Sequence, residues 1–375
     1  MALKFCDSMD AHTEMADVLL KGYRTNVFNT ARWDIATTGG RNGGGAIELK
    51  DTTSAMVDIR PYKGVAPSSG NTFCFGFSFK SASATLPSAR TWFMSCGRES
   101  LQANKFFHPG VDLNGACHFG INTSGILQCA DFSANTTTLN SSPTATASTN
   151  ICDGNWHWIE IAVVNSSTTG LCSVYIDGSQ EINVTTDFRN GSGTSETDVI
   201  TFENNSTQQS SWYIDDLIIY DDDTSTAGLD YAADFPLGLI EIELLKPNGA
   251  GTNSAWTASA GDNYACVDET VPNMNTDYVE STASGQTDTY AFGNLTGSVS
   301  AVKSVMVNVY AQNDASRSKS YKAVALSSSS TTEGATVTPP SQYRISQTEI
   351  VNDPNTGSAW AEAAVNAAEF GVDSQ

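Results

Sequence analysis

The stretch Asp153–Gly178 (DGNWHWIEIAVVNSSTTGLCSVYIDG) limits the fold more than any other part of the chain. Trp156–Val164 is a run of aromatic and β-branched residues, and Asn165–Gly170 is a turn cluster. Leu171–Asp177 is a second run, with Cys172, Val174 and Ile176 on one face. Asp177-Gly178 then closes that run with a tight-turn pair. Both faces of the first run are mostly apolar. That predicts a strand lying centrally in a sheet and covered on both sides.

Taken in order, the chain begins with Phe5–Gly22, where Thr13–Lys21 has helical spacing through Met15, Val18 and Leu19. Gly39–Gly45 lacks the Lys-Ser/Thr of a phosphate loop and reads as a flexible turn. Ala46–Leu49 and Ala55–Ile59 are short strands. Phe73, Phe75, Phe77 and Phe79 alternate with Cys74, Gly76, Ser78 and Lys80, the pattern of a half-buried strand. Short strands follow around Trp92–Met94, His118–Ile121 and Ile126–Cys129, while Ser133–Asn150 is nearly pure Ser, Thr, Asn and Ala and reads as a surface loop. Trp212–Tyr220 is a further strand. The expected divisions are a first domain over 1–223, a linker over 224–236 and a second domain over 237–375. The second opens with an alternating strand, Leu239–Leu245, with Ile240, Ile242 and Leu244 inward. Lys303–Ala311 and Tyr321–Leu326 are expected to be neighbours, Gln342–Val351 adds another strand, and Ser358–Ala367 forms a helical turn holding Trp360. The expected core residues are Trp156, Trp158, Phe75, Phe77, Val174 and Ile214 in the first domain. In the second they are Ile240, Val305, Val307 and Trp360.

A chain of 375 residues accommodates roughly two domains of about 150–200 residues. Its 19 basic and 41 acidic residues give a net charge of −22, which repels nucleic acid and anionic membranes. Met1–Asp7 carries no long apolar core of a secretion signal, and no stretch approaches the ~20 apolar residues of a membrane helix. Synthesis in a cytoplasm is the expectation. The eight cysteines form no CxxC pair and no zinc spacing, so free buried thiols are expected rather than a disulfide set.

Candidate chemistry is sparse. A Glu-x-Asp-x-x-Glu pattern would place carboxylates on one face of a strand, and Glu196–Glu203 lacks that spacing. The four histidines (12, 108, 118, 157) stand apart in sequence, and no Gly-x-Ser-x-Gly elbow occurs. Asp215-Asp216 and Asp221-Asp222-Asp223 offer oxygen ligands of the kind Ca²⁺ takes, without an EF-hand spacing. No catalytic, cofactor-binding or metal-ligating residue is assigned, and no cofactor is expected.

Asp-Gly-x-Trp-His, a strand, then Tyr-x-Asp-Gly resembles the core signature of the laminin-G-like (concanavalin A-like) jelly roll, and Trp212–Tyr220 is similar to its closing strand. The resemblance implies an all-β fold: a jelly-roll sandwich followed by a smaller second β-sandwich. It also implies a structural role for His157. Phe5–His12, Gly39–Gly45 and Ala46–Leu49 resemble the opening of laminin-G-like structural proteins of tailed bacteriophages. Thr276–Val279, Gly285–Tyr290, Val305–Tyr310 and Asn352–Trp360, with Val365–Ala367 and Phe370-Gly371, are similar to a module of phage virion proteins. The expectation drawn from this is a non-enzymatic virion protein, made in the host cytoplasm. It would act by contact with major capsid or tail proteins as a decoration or cement protein or on the tail, and as a homo-oligomer. The alternative is a glycan-binding receptor-recognition protein on a tail fibre or baseplate.

Overall fold

A computed structural model describes residues 3–14, 21, 23–24, 33–50, 55–59, 72–97, 117–130, 143–164, 166, 170–186, 199–204, 210–221, 234–313 and 319–375. The chain divides into two units, Met1–Ile242 and Glu243–Gln375. The expected helix over Thr13–Lys21 falls mostly outside the described residues.

The first unit contains β1 (Leu3–Asp7), β2 (Tyr23–Arg24), β3 (Trp33–Ala36), β4 (Ala46–Leu49), β5 (Ala55–Ile59), β6 (Phe73–Ser81), β7 (Thr91–Gly97) and β8 (Cys117–Ile121). It continues with β9 (Ile126–Ala130), β10 (Ala145–Asn150), β11 (His157–Val164), β12 (Gly170–Ile176), β13 (Ser179–Thr186), β14 (Val199–Asn204) and β15 (Trp212–Asp221). An eight-stranded sheet runs β13-β12-β11-β6-β15-β4-β3, with β1 also paired to β15; a seven-stranded sheet runs β10-β9-β8-β7-β14-β5-β2. Inward side chains of both sheets meet in one core. Phe73, Phe75, Phe77 and Phe79 from β6 lie within ring-contact range of one another or of Phe93 and Phe202. This is the expected jelly-roll, lectin-like sandwich, and Trp158, Phe75, Phe77, Val174 and Ile214 are buried in it as expected.

Local chemistry explains two backbone irregularities. The β12–β13 hairpin turns through Asp177 (φ 51°) and Gly178 (φ 82°), the positive φ pair that a type I′ turn requires. On β15 the inward residues are Trp212 and Ile214, then Leu217 and Ile219, so the alternation slips by one residue. Asp216 (φ 51°) is the inserted residue of a β-bulge, and pairing with β6 jumps from Asp215↔Ser78 to Ile218↔Gly76.

The structure corrects several expectations. Strand β6 is covered on both faces, not half-buried: Cys74 and Ser78 are as buried as the phenylalanines, and a Cβ on Gly76 would collide with the Trp158 ring. The cover is the segment 234–242, expected as linker and opening strand. It is not a strand but a strap across the outer face of the eight-stranded sheet. Leu237 N donates to Glu160 Oε1 (2.7 Å), Ile242 N to Asp216 Oδ1 (3.0 Å), and Phe235 meets Tyr175 edge-on (5.3 Å). Ile240 is half-buried there and Leu239 is exposed. Trp156 precedes β11 and stays half-exposed, with Lys80 Nζ 5.8 Å from its ring. Gly39–Gly45 is an ordered turn, tied by Gly40 N to Gly44 O (2.9 Å) and by Gly45 N to Asp10 Oδ1 (3.0 Å). The last part of the expected loop 133–150 forms β10. That edge strand is clasped to β13, the edge of the other sheet: Glu181 accepts Ser148 N (2.6 Å), Ser148 Oγ (2.7 Å) and Thr149 Oγ1 (2.6 Å).

The second unit contains β16 (Pro247–Ser254), β17 (Thr257–Ala258), β18 (Val279–Glu280), β19 (Thr287–Phe292), β20 (Val305–Ala311), β21 (Tyr321–Ser327), β22 (Ser330–Glu333), β23 (Arg344–Ile350), helix α1 (Glu362–Ala367) and β24 (Glu369–Ser374). Five strands form a sheet in the order β16-β19-β24-β21-β22, while β20 pairs with β23 as a separate ribbon and β17 with β18. The expected pairing of β20 with β21 therefore does not occur. The core between ribbon and sheet joins Val307, Ile350, Ala323, Ala325, Trp360 and Phe370, and Val305 packs at its margin. Trp360 Nε1 donates to Ile350 O (2.8 Å), which pins the loop before α1 to the ribbon.

Candidate functional site

His157 and the Asp215-Asp216 pair, both weighed from sequence, are engaged by the protein's own groups. His157 is clasped on both ring nitrogens, Nδ1 to Asp177 Oδ2 (2.7 Å) and Nε2 to Asp153 Oδ1 (3.1 Å), while Trp158 N donates to Asp177 Oδ1 (2.9 Å). This clasp joins the two ends of the Asp153–Gly178 stretch. Asp215 Oδ2 accepts Arg41 N (2.7 Å), and Asp216 accepts Ser78 Oγ (3.1 Å) and Ile242 N (3.0 Å). Burial and mutual repulsion push Asp215 up to about 8, and burial pushes Asp216 to about 6 against the Ile242 and Arg41 contacts. Their oxygens face protein donors and not a Ca²⁺ cage. Asp221 pairs with Lys4 (3.2 Å); Asp222 and Asp223 lie outside the described residues.

The phrase Phe5–His12 builds a buried polar node. Asp7 accepts four donors: Met9 N (3.0 Å), Lys21 Nζ (2.8 Å), His12 Nε2 (2.9 Å) and Tyr23 OH (2.9 Å). Burial alone would raise the Asp7 carboxyl, but Lys21 and His12 beside it outweigh burial and hold it well below the usual carboxylate range. Every member is closed off from solvent, so the node anchors β1 and not a ligand.

Two faces do gather chemistry that sequence spacing hid. On the side of the seven-stranded sheet away from the core, Thr201, Ser95 and His118 stand directly opposite one another on β14, β7 and β8. Glu203 lies two residues along β14, and Gln128 lies on β9, opposite Gly120 next along β8. All five are buried, and Ser95 Oγ has no hydrogen-bond partner among the described residues. A histidine alone in sequence is thus set among hydroxyls, an amide and a carboxylate by strand pairing. The signal was the alternation itself: Cys117, Phe119 and Ile121 point inward, which sends His118 outward.

The second face belongs to the β20–β23 ribbon. Val305, Val307 and Val309 point into the core, so Asn308, Tyr310 and Gln312 point the other way. Tyr310 stacks on Tyr343 (ring centroids 5.1 Å, 23° between planes). Tyr343 OH and Gln312 Nε2 both donate to Asn275 Oδ1 (3.2 Å each), and Gln347 Nε2 donates to Asn308 Oδ1 (2.9 Å). Tyr278 stands beside this group and is 37 % exposed; Met274, on the same loop, is 43 % exposed. Burial, and then the proximity of Tyr278, raise the Tyr343 hydroxyl, so it remains a neutral donor. The face is aromatic, rich in carboxamides and open to solvent.

No protein-family model matches the chain, and no curated protein sequence matches it either. Similar solved structures cover somewhat more than half of the chain. The alginate lyase Aly36B shares 12 % identity over 57 % of this chain and 95 % of its own (TM-score 0.40). The endo-β-1,4-glucuronan lyase of the fungus Trichoderma reesei shares 11 % over 58 % and 95 % (TM-score 0.41). The carbohydrate recognition domain of Emp46p shares 10 % over 58 % and 96 % (TM-score 0.39). These likenesses concern the fold. They also overturn the expectation that the chain is not an enzyme, because two of the three are lyases. Missing glucanase carboxylates and scattered histidines therefore exclude nothing, as the His118 row illustrates.

Proposed function

We propose that this chain is a surface protein of a tailed-bacteriophage particle that binds a neutral saccharide through the ribbon of its second unit. The observation that carries the binding is the tyrosine–amide face. Aromatic rings offer flat apolar area against the C–H face of a pyranose, and carboxamides exchange hydrogen bonds with its hydroxyls. Tyr343 OH and Gln312 converge on one acceptor, Asn275 Oδ1, so the amide is already oriented before any sugar arrives. The virion part rests on the resemblance of the N-terminal phrase and of the C-terminal module to phage structural proteins. Tyr278 itself lies in one of those phrases.

Glycan-array binding by the full chain, repeated with Tyr278→Ala and Tyr343→Ala, tests the reading. Binding to uncharged glycans that falls at least about tenfold in both variants supports it, equivalent to about 1.4 kcal/mol. Absence of array binding would sink it. Particles lacking the protein should fail to adsorb to host cells. If they adsorb normally but rupture under heat or osmotic shock, a cement role replaces receptor binding.

A further inference from the structure

Four of the eight cysteines converge inside the first unit. Cys117 on β8, Cys129 on β9 and Cys172 on β12 all point into the core, two from one sheet and one from the facing sheet. Cys129 Sγ lies 3.5 Å from Cys117 Sγ and 3.5 Å from Cys172 Sγ, and the three sulfurs all fall within 4.8 Å of one another. Cys96 on β7 is the cross-strand partner of Cys117, and its Sγ sits 3.7 Å from the Cys117 carbonyl oxygen, against the same group. Each of the four is completely buried.

We infer that Cys117, Cys129 and Cys172, with Cys96 alongside, form a sheet-bridging site for one soft d¹⁰ cation of the zinc(II) class. The spacing carries the argument. Zinc–sulfur bonds of about 2.3 Å in a tetrahedral site put neighbouring sulfurs about 3.8 Å apart. The two closest pairs already stand near that separation, whereas a disulfide needs its sulfurs at about 2.05 Å, and no cysteine of the chain is in one. Packing alone asks only for small apolar groups and gives no reason for sulfurs from three strands to meet head-on. The residues are far apart in sequence because a sandwich brings ligands together across its layers; short-range ligand spacings belong to sites built on a single loop or hairpin.

Charge sets the stoichiometry. An unliganded thiol in an apolar core is stable in its neutral S–H form, because a buried thiolate without a partner is costly. A dication held by the three thiolates of Cys117, Cys129 and Cys172 breaks three S–H bonds, forms three metal–sulfur bonds and releases three protons to solvent. The complex then carries a net charge of −1, spread over the metal–sulfur bonds. Ionising Cys96 as well would add a second net negative charge with no compensating partner among the described residues. Since no member of the group reaches solvent, loading accompanies folding.

The test is metal analysis of the full chain, grown with added zinc and purified without chelator, in parallel with cobalt(II)-grown protein. The expected result is stoichiometric zinc that survives dialysis of the folded protein against EDTA and is released on unfolding. Cobalt protein should show sulfur-to-cobalt charge-transfer and tetrahedral d–d absorption. Cys129→Ser should lower the metal content at least tenfold, and Cys6→Ser should leave it unchanged. If Cys129→Ser does not fold, the wild-type zinc content and cobalt spectrum decide by themselves. Folded wild-type protein with less than a tenth of an equivalent of zinc and no such cobalt bands overturns the inference. So does intact-mass evidence that two of these thiols have been oxidised to a disulfide.

Discussion

Two buried carboxylate centres in the first unit behave in opposite ways. Asp7 sits against Lys21 and His12 and is held ionised; Asp216 faces the Arg41 guanidinium (3.4 Å) while Asp215 takes only the Arg41 peptide N–H, and both are driven toward their protonated forms. All three carboxylates are almost sealed from water, and all accept several hydrogen bonds. Burial therefore does not decide the charge state. The number of cations within reach does, set against the number of carboxylates that share them. One centre fixes β1 to the rest of the sandwich, and the other sits under the strap at the β15 bulge. The strands at both are anchored, but the pH at which each anchor is strongest differs.

The largest break in this comparison comes from removing the strap. A chain ending at Asp223 loses the Ile242 donor to Asp216, the Leu237 donor to Glu160 and the Phe235 ring against Tyr175. It should unfold well below a chain ending at Ile242, or fail to fold at all; equal melting temperatures in calorimetry would show that the strap contributes nothing. Next is Lys21→Ala, which leaves Asp7 a buried charge with one strong partner fewer. The expected cost is about 3–5 kcal/mol by denaturant unfolding.

The pH dependences then separate the centres. A lowered folded-state value means that the Asp7 contribution is present above the ordinary carboxylate range of about 4 and is lost as pH falls below it. Raised values at Asp215 and Asp216 mean the reverse: their contribution is complete below about 4 and is lost as pH climbs through about 6 and about 8. Asp215→Asn should flatten the alkaline side of the stability profile and leave the acid side untouched. An unchanged alkaline slope would mean that the pair is ionised in the fold. The smallest expected effect is that of Ser78→Ala, which removes one hydroxyl donor to Asp216 at a cost of about 1 kcal/mol. Asp216 should titrate higher in that variant by NMR.

Much of the first unit was legible because its strands declare their inward faces. Four alternating phenylalanines and the run Ile159, Ile161, Val163 mark two central strands, whereas Trp212–Tyr220 reads as one unbroken strand and does not show its bulge at Asp216. The strap was not legible. Leu239–Leu245 alternates as a strand does, yet 234–242 lies across a sheet through backbone donors to Glu160 and Asp216, and single-segment periodicity carries no trace of such partners. The same limit hid the sites. His118, Ser95 and Thr201 come from three strands that only pairing aligns, and Tyr278, Tyr310 and Tyr343 from three separate segments. Turn chemistry was clearer: Asp177-Gly178 marked its hairpin directly.

A sandwich of two sheets has rims where unsatisfied peptide groups invite another chain to add as a further strand. At one rim here the outermost strands, β10 and β13, are fastened to each other by Glu181 reaching across to Ser148 and Thr149. The carboxylate works as a rivet between layers, and it takes up a peptide N–H that an incoming strand would otherwise use. Any second copy meeting that border would find the peptide N–H already taken, so the clasp guards the sandwich against runaway ribbon growth there.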